Sequence, residues 1–330
     1  MSPRGGGGGG RGETPMVPEA EFESYYGRQI LKTPTWKTPD VPLYLFLGGL
    51  AGGSSLLAEG AALQDLPALE RVARGAAAAG AGIGTVFLVH DLGRPERFLN
   101  MLRVFKITSP LSVGSFILAP FSALSTAALG SHLTGRLPRL GRLSGVGAAA
   151  FGPPLATYTA ALITNTAVPA WHEGHREMPF IFGGSGAAAA GGLAMALAPV
   201  SQSGPAKRMA LAGAAIDLAG VELMNRRLGM LAEPYEQGKS GRLMKTARAL
   251  TVTGVGLSLL GRRSRFARAV AGAAYVAGSV TLRFGIFEAG LASARDPKYV
   301  VVPQRERLEK RAAEQRKVTG GVTGSSSPTA

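Results

Sequence analysis

Four long stretches of this 330-residue chain contain no Asp, Glu, Lys or Arg. They cover residues 41–58, 107–135, 143–172 and 178–206. The hydrocarbon core of a bilayer is ~30 Å thick, and a helix needs about 20 apolar residues to cross it. Charge-free stretches of this length therefore predict membrane-spanning helices and argue against an ordinary soluble domain, in which charged residues are more frequent.

Four further windows are shorter or interrupted by charge. Residues 75–90 form a short apolar window, and three weaker windows lie near 206–225, 243–260 and 267–288. Each is still long enough for most of a membrane crossing. The sequence therefore predicts an all-α integral membrane protein with eight transmembrane helices, called spans 1 to 8 in chain order.

Glycine and cysteine contents narrow the class of protein further. Gly accounts for 47 residues, and a Gly inside a helix is unfavourable by about 1 kcal/mol in water, whereas small residues let membrane helices pack closely. The chain has no Cys. This excludes disulfides, thiolate catalysis and an iron–sulfur cluster ligated by this chain.

The two ends of the chain differ in composition from its centre. Residues 1–38 begin with a glycine run and lack the apolar stretch of a signal peptide, so we expect a cytoplasmic N-terminal segment there. Residues 39–302 form the predicted membrane domain. Residues 303–330 are polar, and we expect a disordered C-terminal tail.

Basic residues are distributed unequally between the two sides of the predicted spans. The side that carries both termini holds 23 of the 36 Lys and Arg residues, and the opposite loops hold 11. The positive-inside rule therefore predicts a multi-pass protein of the cell membrane with both termini in the cytoplasm. We expect the basic charge to face membrane lipid rather than nucleic acid.

The terminus-bearing face also collects most of the aromatic, His and Asn residues of the loops. Such an asymmetry favours docking of another protein there, although loops are polar in general. The expected partner-docking residues are Arg94, Arg97, Trp171, His172 and Arg176.

The four histidines do not suit a haem. A haem b between helices needs axial His ligands from span interiors, whereas His90 and His132 end spans on opposite faces and the other two lie in a loop. His172 and His175 could ligate a metal together, but a polar docking loop is the preferred interpretation. We therefore expect no metal, haem or catalytic residue in this chain.

Charged residues inside predicted spans are functional candidates because they are costly in hydrocarbon. Glu222 in span 6 and Arg283 in span 8 lie at similar predicted depth, so we expect a structural ion pair between them. The alternative is that Glu222 pairs with Arg226, one turn further along the same helix.

Several motifs resemble those of the NrfD/PsrC family of polysulfide reductase membrane subunits, over about residues 25–307. The motif after span 2 is the most specific. The resembling segments are 47–53 (LGGLAGG), 91–98 (DLGRPERF), 109–115 (SPLSVGS) and 169–171 (PAW), together with Tyr158 and Asn165.

The resemblance implies a fold and a function. Family members are quinone-binding subunits of eight helices in two four-helix bundles. They partner a ferredoxin-like four-cluster iron–sulfur subunit and usually a molybdopterin catalytic subunit. By this resemblance the chain would anchor such a complex and pass electrons between it and menaquinone or ubiquinone. The implied quinone-binding residues are Tyr44, Asp40, Tyr158, Asp91 and His90.

Two other functions stay open from the sequence. Intramembrane charges and the Pro153–Pro154 pair are typical of secondary transporters, but the polar residues gather at one face rather than at mid-membrane. The chain could also be a structural anchor that docks a soluble enzyme and binds no quinone.

Overall fold

The computed structural model describes residues 30–261 and 264–322. Most of the expected N-terminal segment and the last eight residues of the expected tail lie outside these ranges. The described residues form twelve α-helices, no strand, and 3₁₀ turns at Gly174–Arg176 and Gly229–Ala232. The helices are α1 (Asp40–Ala62), α2 (Pro67–Asp91), α3 (Arg97–Met101), α4 (Pro110–Thr134), α5 (Pro138–Thr164), α6 (Pro169–Glu173), α7 (Met178–Leu197), α8 (Gly204–Leu228), α9 (Glu233–Glu236), α10 (Gly238–Leu260), α11 (Arg265–Arg295) and α12 (Lys298–Val322).

Six of the described helices are long and apolar enough to cross a membrane. They are α1, α2, α4, α5, α7 and α11, which correspond to spans 1 to 5 and span 8. The all-helical class is therefore confirmed, with six candidate membrane spans where the sequence predicts eight.

Spans 6 and 7 correspond to α8 and α10, whose 25 and 23 residues are sufficient in length. Both helices carry several charges. Asp217 and Glu222 lie on α8, and Lys245 and Arg248 lie on α10. Because these charges lower the mean hydropathy, the two helices are not among the six candidates.

Eight long helices pack in two groups of four. In the first group α1 contacts α2 and α5, and α4 contacts the same two helices. In the second group α7 contacts α8 and α11, and α10 contacts the same two helices. Helix α7 also packs on α1 and α5, so it joins the two groups.

Glycines allow α1 to pass close to a neighbour on each side. A Cβ atom on Gly52 would lie 2.3 Å from the carbonyl oxygen of Gly152 on α5. A Cβ atom on Gly186 of α7 would lie 2.8 Å from the carbonyl oxygen of Gly49. Any larger side chain would push these backbones apart, so the glycines set the helix spacing.

The C-terminal segment differs from the expectation of a disordered tail after residue 302. Helix α12 continues to Val322, and its first turns are held by charged contacts to the terminus-bearing face. Lys298 donates to Glu233 at 2.7 Å, and Arg307 pairs with Glu173. Opposite charges brought together by the fold therefore attach this polar helix to the membrane domain.

Candidate functional site

A cavity of about 210 Å³ lies in the first helix group, near the terminus-bearing face. Its wall is built from the segment before α1, the start of α1, the end of α2, the start of α4 and the end of α5. The lining residues are Thr35, Trp36, Val41, Tyr44, Phe87, Leu88, Asp91, Leu92, Leu111 and Leu162.

Tyr44 is the most deeply placed polar residue of this lining. It lies in the second turn of α1 and is only 2% exposed. Its hydroxyl has no hydrogen-bond partner among the described residues. Leaving a buried hydroxyl unpaired is unfavourable by about 1–3 kcal/mol. The phenol is therefore placed to donate to a polar atom of a bound molecule.

Asp40 and His90 form a polar contact beside the cavity. The His90 Nδ1 atom lies 2.6 Å from Asp40 Oδ2, which joins the start of α1 to the end of α2. The side chain of Asp40 is 7% exposed, whereas that of His90 is 70% exposed. The pair therefore connects a buried carboxyl group to the surface, an arrangement that can transfer protons.

The segment before α1 is attached to the end of α2 by Lys37. Its backbone N–H donates to Asp91 Oδ1 at 2.9 Å, and its side-chain ammonium donates to the carbonyl oxygen of His90 at 3.1 Å. The neighbouring Trp36 lines the cavity and stacks on Trp171 at 5.5 Å. This segment therefore closes the cavity towards the terminus-bearing face.

Of the five expected quinone-binding residues, Tyr44 and Asp91 line the cavity. Asp40 and His90 lie next to lining residues in sequence. Tyr158 is not part of the lining. It is buried against Gly114 of α4, while Leu162, one turn later on α5, contributes to the cavity wall. One helical turn along α5 thus separates the predicted residue from the residue that lines the cavity.

The expected docking residues have three different outcomes. Arg94, His172 and Arg176 are exposed on the terminus-bearing face. The side chain of Arg97 lies outside the described part of the structure. The fifth residue, Trp171, is fully buried, so the prediction that it contacts a partner is wrong.

The burial of Trp171 has a clear physical cause. Its indole N–H donates to the carbonyl oxygen of Ile286 at 2.8 Å. Its ring packs on Trp36 and Phe287, and the absence of a side chain at Gly290 makes room for it. Trp171 therefore anchors the loop after α5 to α11. It also packs against Trp36, which lines the cavity.

The predicted ion pair between Glu222 and Arg283 is also wrong. Glu222 accepts from Arg226 at 2.9 Å, which is the alternative considered above. Arg283 is fully buried and donates to the carbonyl oxygen of Phe182 at 2.9 Å, with its guanidinium 3.8 Å from the Phe182 ring. Although Glu222 and Arg283 lie at similar predicted depth, Glu222 contacts Arg226 on its own helix and Arg283 contacts α7.

One ion pair strengthens the terminus-bearing face. Both Glu177 carboxylate oxygens lie 2.6 Å from Arg227 nitrogens. This hydrogen bonding holds the pKa of Glu177 below its ordinary value. Because the carboxylate precedes α7 and the guanidinium ends α8, the pair joins the ends of these helices.

His172 and His175 in the segment after α5 contact backbone groups. No group of three or more His, Cys, Asp or Glu residues that could hold a metal ion occurs in the described ranges. The Nδ1 atoms of His172 and His175 both lie within hydrogen-bond distance of backbone carbonyl oxygens. These contacts hold both imidazole rings against the backbone of the segment.

Trp36 and Phe87 are lining residues that the sequence reasoning missed. Trp36 lies in a short polar segment before α1, and nothing in its local pattern indicates that it folds back over the helix ends. Its position just before span 1 is the sequence signal for Trp36, since Trp is enriched at membrane interfaces.

Comparison with known proteins places this geometry in a family. No curated protein matches the chain. A family model described as polysulphide reductase, NrfD, matches residues 31–216. The match spans more than half of the chain and includes every residue that lines the cavity. The chain therefore belongs to the polysulphide reductase NrfD family.

Proposed function

We propose that this chain is the quinone-reactive membrane subunit of an oxidoreductase complex. Family membership indicates a membrane subunit of such complexes. In this proposal electrons pass between a membrane quinone, menaquinone or ubiquinone, and a docked ferredoxin-like iron–sulfur subunit. That subunit in turn serves a molybdopterin catalytic subunit.

The single observation that carries the proposal is the unpartnered phenol of Tyr44 in the cavity of the first helix group. A quinone ring is flat and apolar, and its carbonyl oxygens only accept hydrogen bonds. The largely apolar lining suits the ring, and the Tyr44 hydroxyl supplies a donor. A donor in a site that excludes water is worth more than one in water.

Proton supply is the second requirement of quinone chemistry. Reduction of a quinone to a quinol consumes two electrons and two protons, and oxidation releases them. Asp40 and His90 lie 2.6 Å apart and connect the buried start of α1 to the surface. In the proposal they move protons between water and the ring, with Asp91 at the cavity wall.

The electron partner docks on the terminus-bearing face in this account. The chain has no Cys, so a thiolate-bound iron–sulfur cluster belongs to the partner. The exposed Arg94, His172 and Arg176 present positive and polar groups on the terminus-bearing face. An acidic surface on the iron–sulfur subunit would complement them.

The proposal includes a topology. Helices α8 and α10 would cross the membrane beside the six apolar helices, which gives eight crossings and two bundles in a membrane domain of residues 39–302. The excess of Lys and Arg on the terminus-bearing face supports cytoplasmic termini in the cell membrane.

The experiment that tests this function is the substitution Tyr44→Phe in the assembled complex. Loss of one hydrogen bond to the quinone should slow quinone-linked turnover severalfold to about tenfold. Turnover should be normalised to the activity of the catalytic partner with a soluble dye, which bypasses the membrane subunit.

Tyr275→Phe provides the matched control. Tyr275 is equally buried, but it lies in the second helix group away from the cavity. Its variant should keep normal quinone-linked turnover. If Tyr44→Phe behaves like Tyr275→Phe, the cavity does not hold the quinone. Dye activity without any quinone-linked turnover in the unaltered complex would instead support a purely structural anchor.

A further inference from the structure

A second and larger cavity, of about 390 Å³, lies in the other helix group. Helices α8 and α10 form its sides, α11 contributes Leu282, and α9 closes the end near the terminus-bearing face. Its size lies within the range of small-molecule sites. The lining residues are Asp217, Leu218, Val221, Glu222, Asn225, Tyr235, Glu236, Gln237, Met244, Lys245, Ala247, Arg248 and Leu282.

The cavity opens between α8 and α10, at the outer surface of the second helix group. Helix α8 contacts α10 less extensively than it contacts α7, which leaves a gap along the cavity. Leu223, next to Glu222 on α8, and Val252, one turn beyond Arg248 on α10, are exposed. Large apolar side chains at the surface of a membrane domain face lipid. The opening is therefore accessible to acyl chains.

The inner wall of the cavity is apolar. Leu218 and Val221 of α8 and Met244 and Ala247 of α10 line it, together with Leu282 of α11. An acyl chain is flexible and apolar, so it can lie along a gap of this kind and fill the space between two loosely packed helices.

The polar groups of the lining carry charges of both signs. Glu236 and Lys245 are exposed, and neither side chain has a hydrogen-bond or ion-pair partner among the described residues. Arg248 approaches Glu222 across the gap at 3.8 Å, beyond hydrogen-bond distance. The cavity thus offers one unpaired carboxylate and one unpaired ammonium to a ligand.

These groups are ordered by depth from the terminus-bearing face. Glu236 ends α9, and Asn225 lies in the last turn of α8, where its Oδ1 atom is buried without a partner among the described residues. Lys245 lies seven residues into α10, a rise of about 10 Å, and its long stem can extend back towards the interface. Acceptors therefore come first, a cation next, and the apolar wall last.

We infer that this cavity binds one membrane phospholipid with an ethanolamine headgroup. Its ammonium donates to Glu236 and to Asn225 Oδ1, its phosphate lies at Lys245, and one acyl chain follows the apolar wall. The same order of ammonium, phosphate and chain runs from the surface of a bilayer to its core. The inference rests on the topology of the proposed function, in which α8 and α10 cross the membrane.

The charges discriminate between headgroups. A choline nitrogen carries three methyl groups and no N–H, so it cannot donate to Asn225. A phosphatidylglycerol headgroup has hydroxyls but no cation to place beside Glu236. Asp217 lies deeper, and the neighbouring Arg283 guanidinium attracts its carboxylate, so it takes no part in headgroup binding.

The test is lipid retention by the delipidated full chain in detergent, measured by native mass spectrometry. Dioleoyl lipids with ethanolamine, glycerol or choline headgroups are added separately. We expect one retained ethanolamine lipid per chain, bound about tenfold more tightly than the choline lipid. Lys245→Gln removes the phosphate contact and should weaken both the ethanolamine and the glycerol lipid about tenfold. Glu236→Gln should weaken the ethanolamine lipid alone.

Lys106→Gln and Glu96→Gln are the matched controls. They remove the same charges from exposed positions of the terminus-bearing face in the first helix group, and they should leave retention unchanged. Because Lys245 and Glu236 are exposed as well, their substitution should not prevent folding. Equal retention of the three lipids, tighter binding of the glycerol lipid, or equal losses of both lipids in Glu236→Gln would overturn the inference.

Thermal stability gives a second measurement on the same protein. A ligand that binds only the folded state raises its thermal midpoint. The ethanolamine lipid should therefore raise the midpoint of the unaltered chain in phosphatidylcholine nanodiscs, and it should raise that of Glu236→Gln much less. An equal rise in both proteins would contradict a role for the Glu236 carboxylate.

Failure of the proposed function has a different signature. If Tyr44→Phe leaves quinone-linked turnover unchanged, the first cavity does not hold the quinone, but the headgroup preference and its loss in Glu236→Gln remain. The sidedness of the ends of α8 and α10 tests the topology separately from lipid retention.

Discussion

Individual buried polar side chains distinguish this chain from a generic bundle of apolar helices. Arg283 is an example, because its guanidinium bonds a carbonyl oxygen of α7 and contacts the Phe182 ring. Its Nε atom also lies 3.5 Å from the carbonyl oxygen of Leu45 on α1. A single cation therefore links α1, α7 and α11 at the junction of the two helix groups.

Arg283→Leu should lower the thermal midpoint of the purified chain strongly, whereas Glu222→Gln should change it little. The arginine variant loses the contacts that join the groups and leaves the buried Asp217 without a neighbouring positive charge. Glu222 pairs with an exposed Arg226, and such pairs contribute only about 0.3–0.5 kcal/mol. Equal midpoints for the two variants would contradict this assignment.

Residue contacts of this kind could be anticipated only in part from the sequence. Tyr44 and Asp91 were expected at one site through the family resemblance, and both line the cavity. The partners of Arg283 could not be inferred, since Leu45 lies 238 residues away in sequence. Trp171 looked like an exposed loop residue because its acceptor, Ile286, belongs to a distant helix.

At the scale of the helices, the charge-free windows correctly predicted which segments form long helices. Spans 1 to 5 coincide with helices, and most begin with Pro in the first turn, where the missing N–H is harmless. The position of the site along a helix was less accessible. On α5 the family resemblance indicated Tyr158, which packs against Gly114, whereas Leu162, one turn later on the same face, lines the cavity.

Two substitutions on α1 test whether glycine sets the helix spacing. Gly52→Ala should destabilise the protein, because the new Cβ would lie 2.3 Å from the carbonyl oxygen of Gly152. Gly60→Ala on the same helix has open space around the new methyl group and should be neutral or slightly stabilising. The measurement is the thermal midpoint of each purified variant.

The opposite order of midpoints, or two equal values, would show that α1 and α5 do not approach as closely as described. Because both variants add one methyl group to the same helix, helix propensity alone cannot produce a difference between them.

For the whole molecule, hydropathy predicted an all-helical membrane protein, and the family resemblance implied two four-helix bundles. The junction of the two groups could not be predicted, because it depends on contacts between α1 and α7, which are far apart in the chain. The charges of α8 and α10 make their membrane crossing the weakest part of a sequence-based topology.

Absence of native Cys makes the topology directly measurable by labelling of single introduced cysteines. If α8 and α10 cross the membrane, Ser201→Cys and Arg265→Cys should react from outside the cell. Gln237→Cys should react only from the cytoplasm. Labelling of all three from one side would mean that α8 and α10 do not cross.

The central claim is that the first helix group holds a quinone beside Tyr44. Its most direct test is photoaffinity labelling of the complex in its membrane with a light-activated quinone, followed by mapping of the labelled peptides. The account predicts label in residues 35–44 or 87–92, removed by excess unlabelled quinone. Label found only on α8, α10 or α11, or label that excess quinone does not remove, would contradict it.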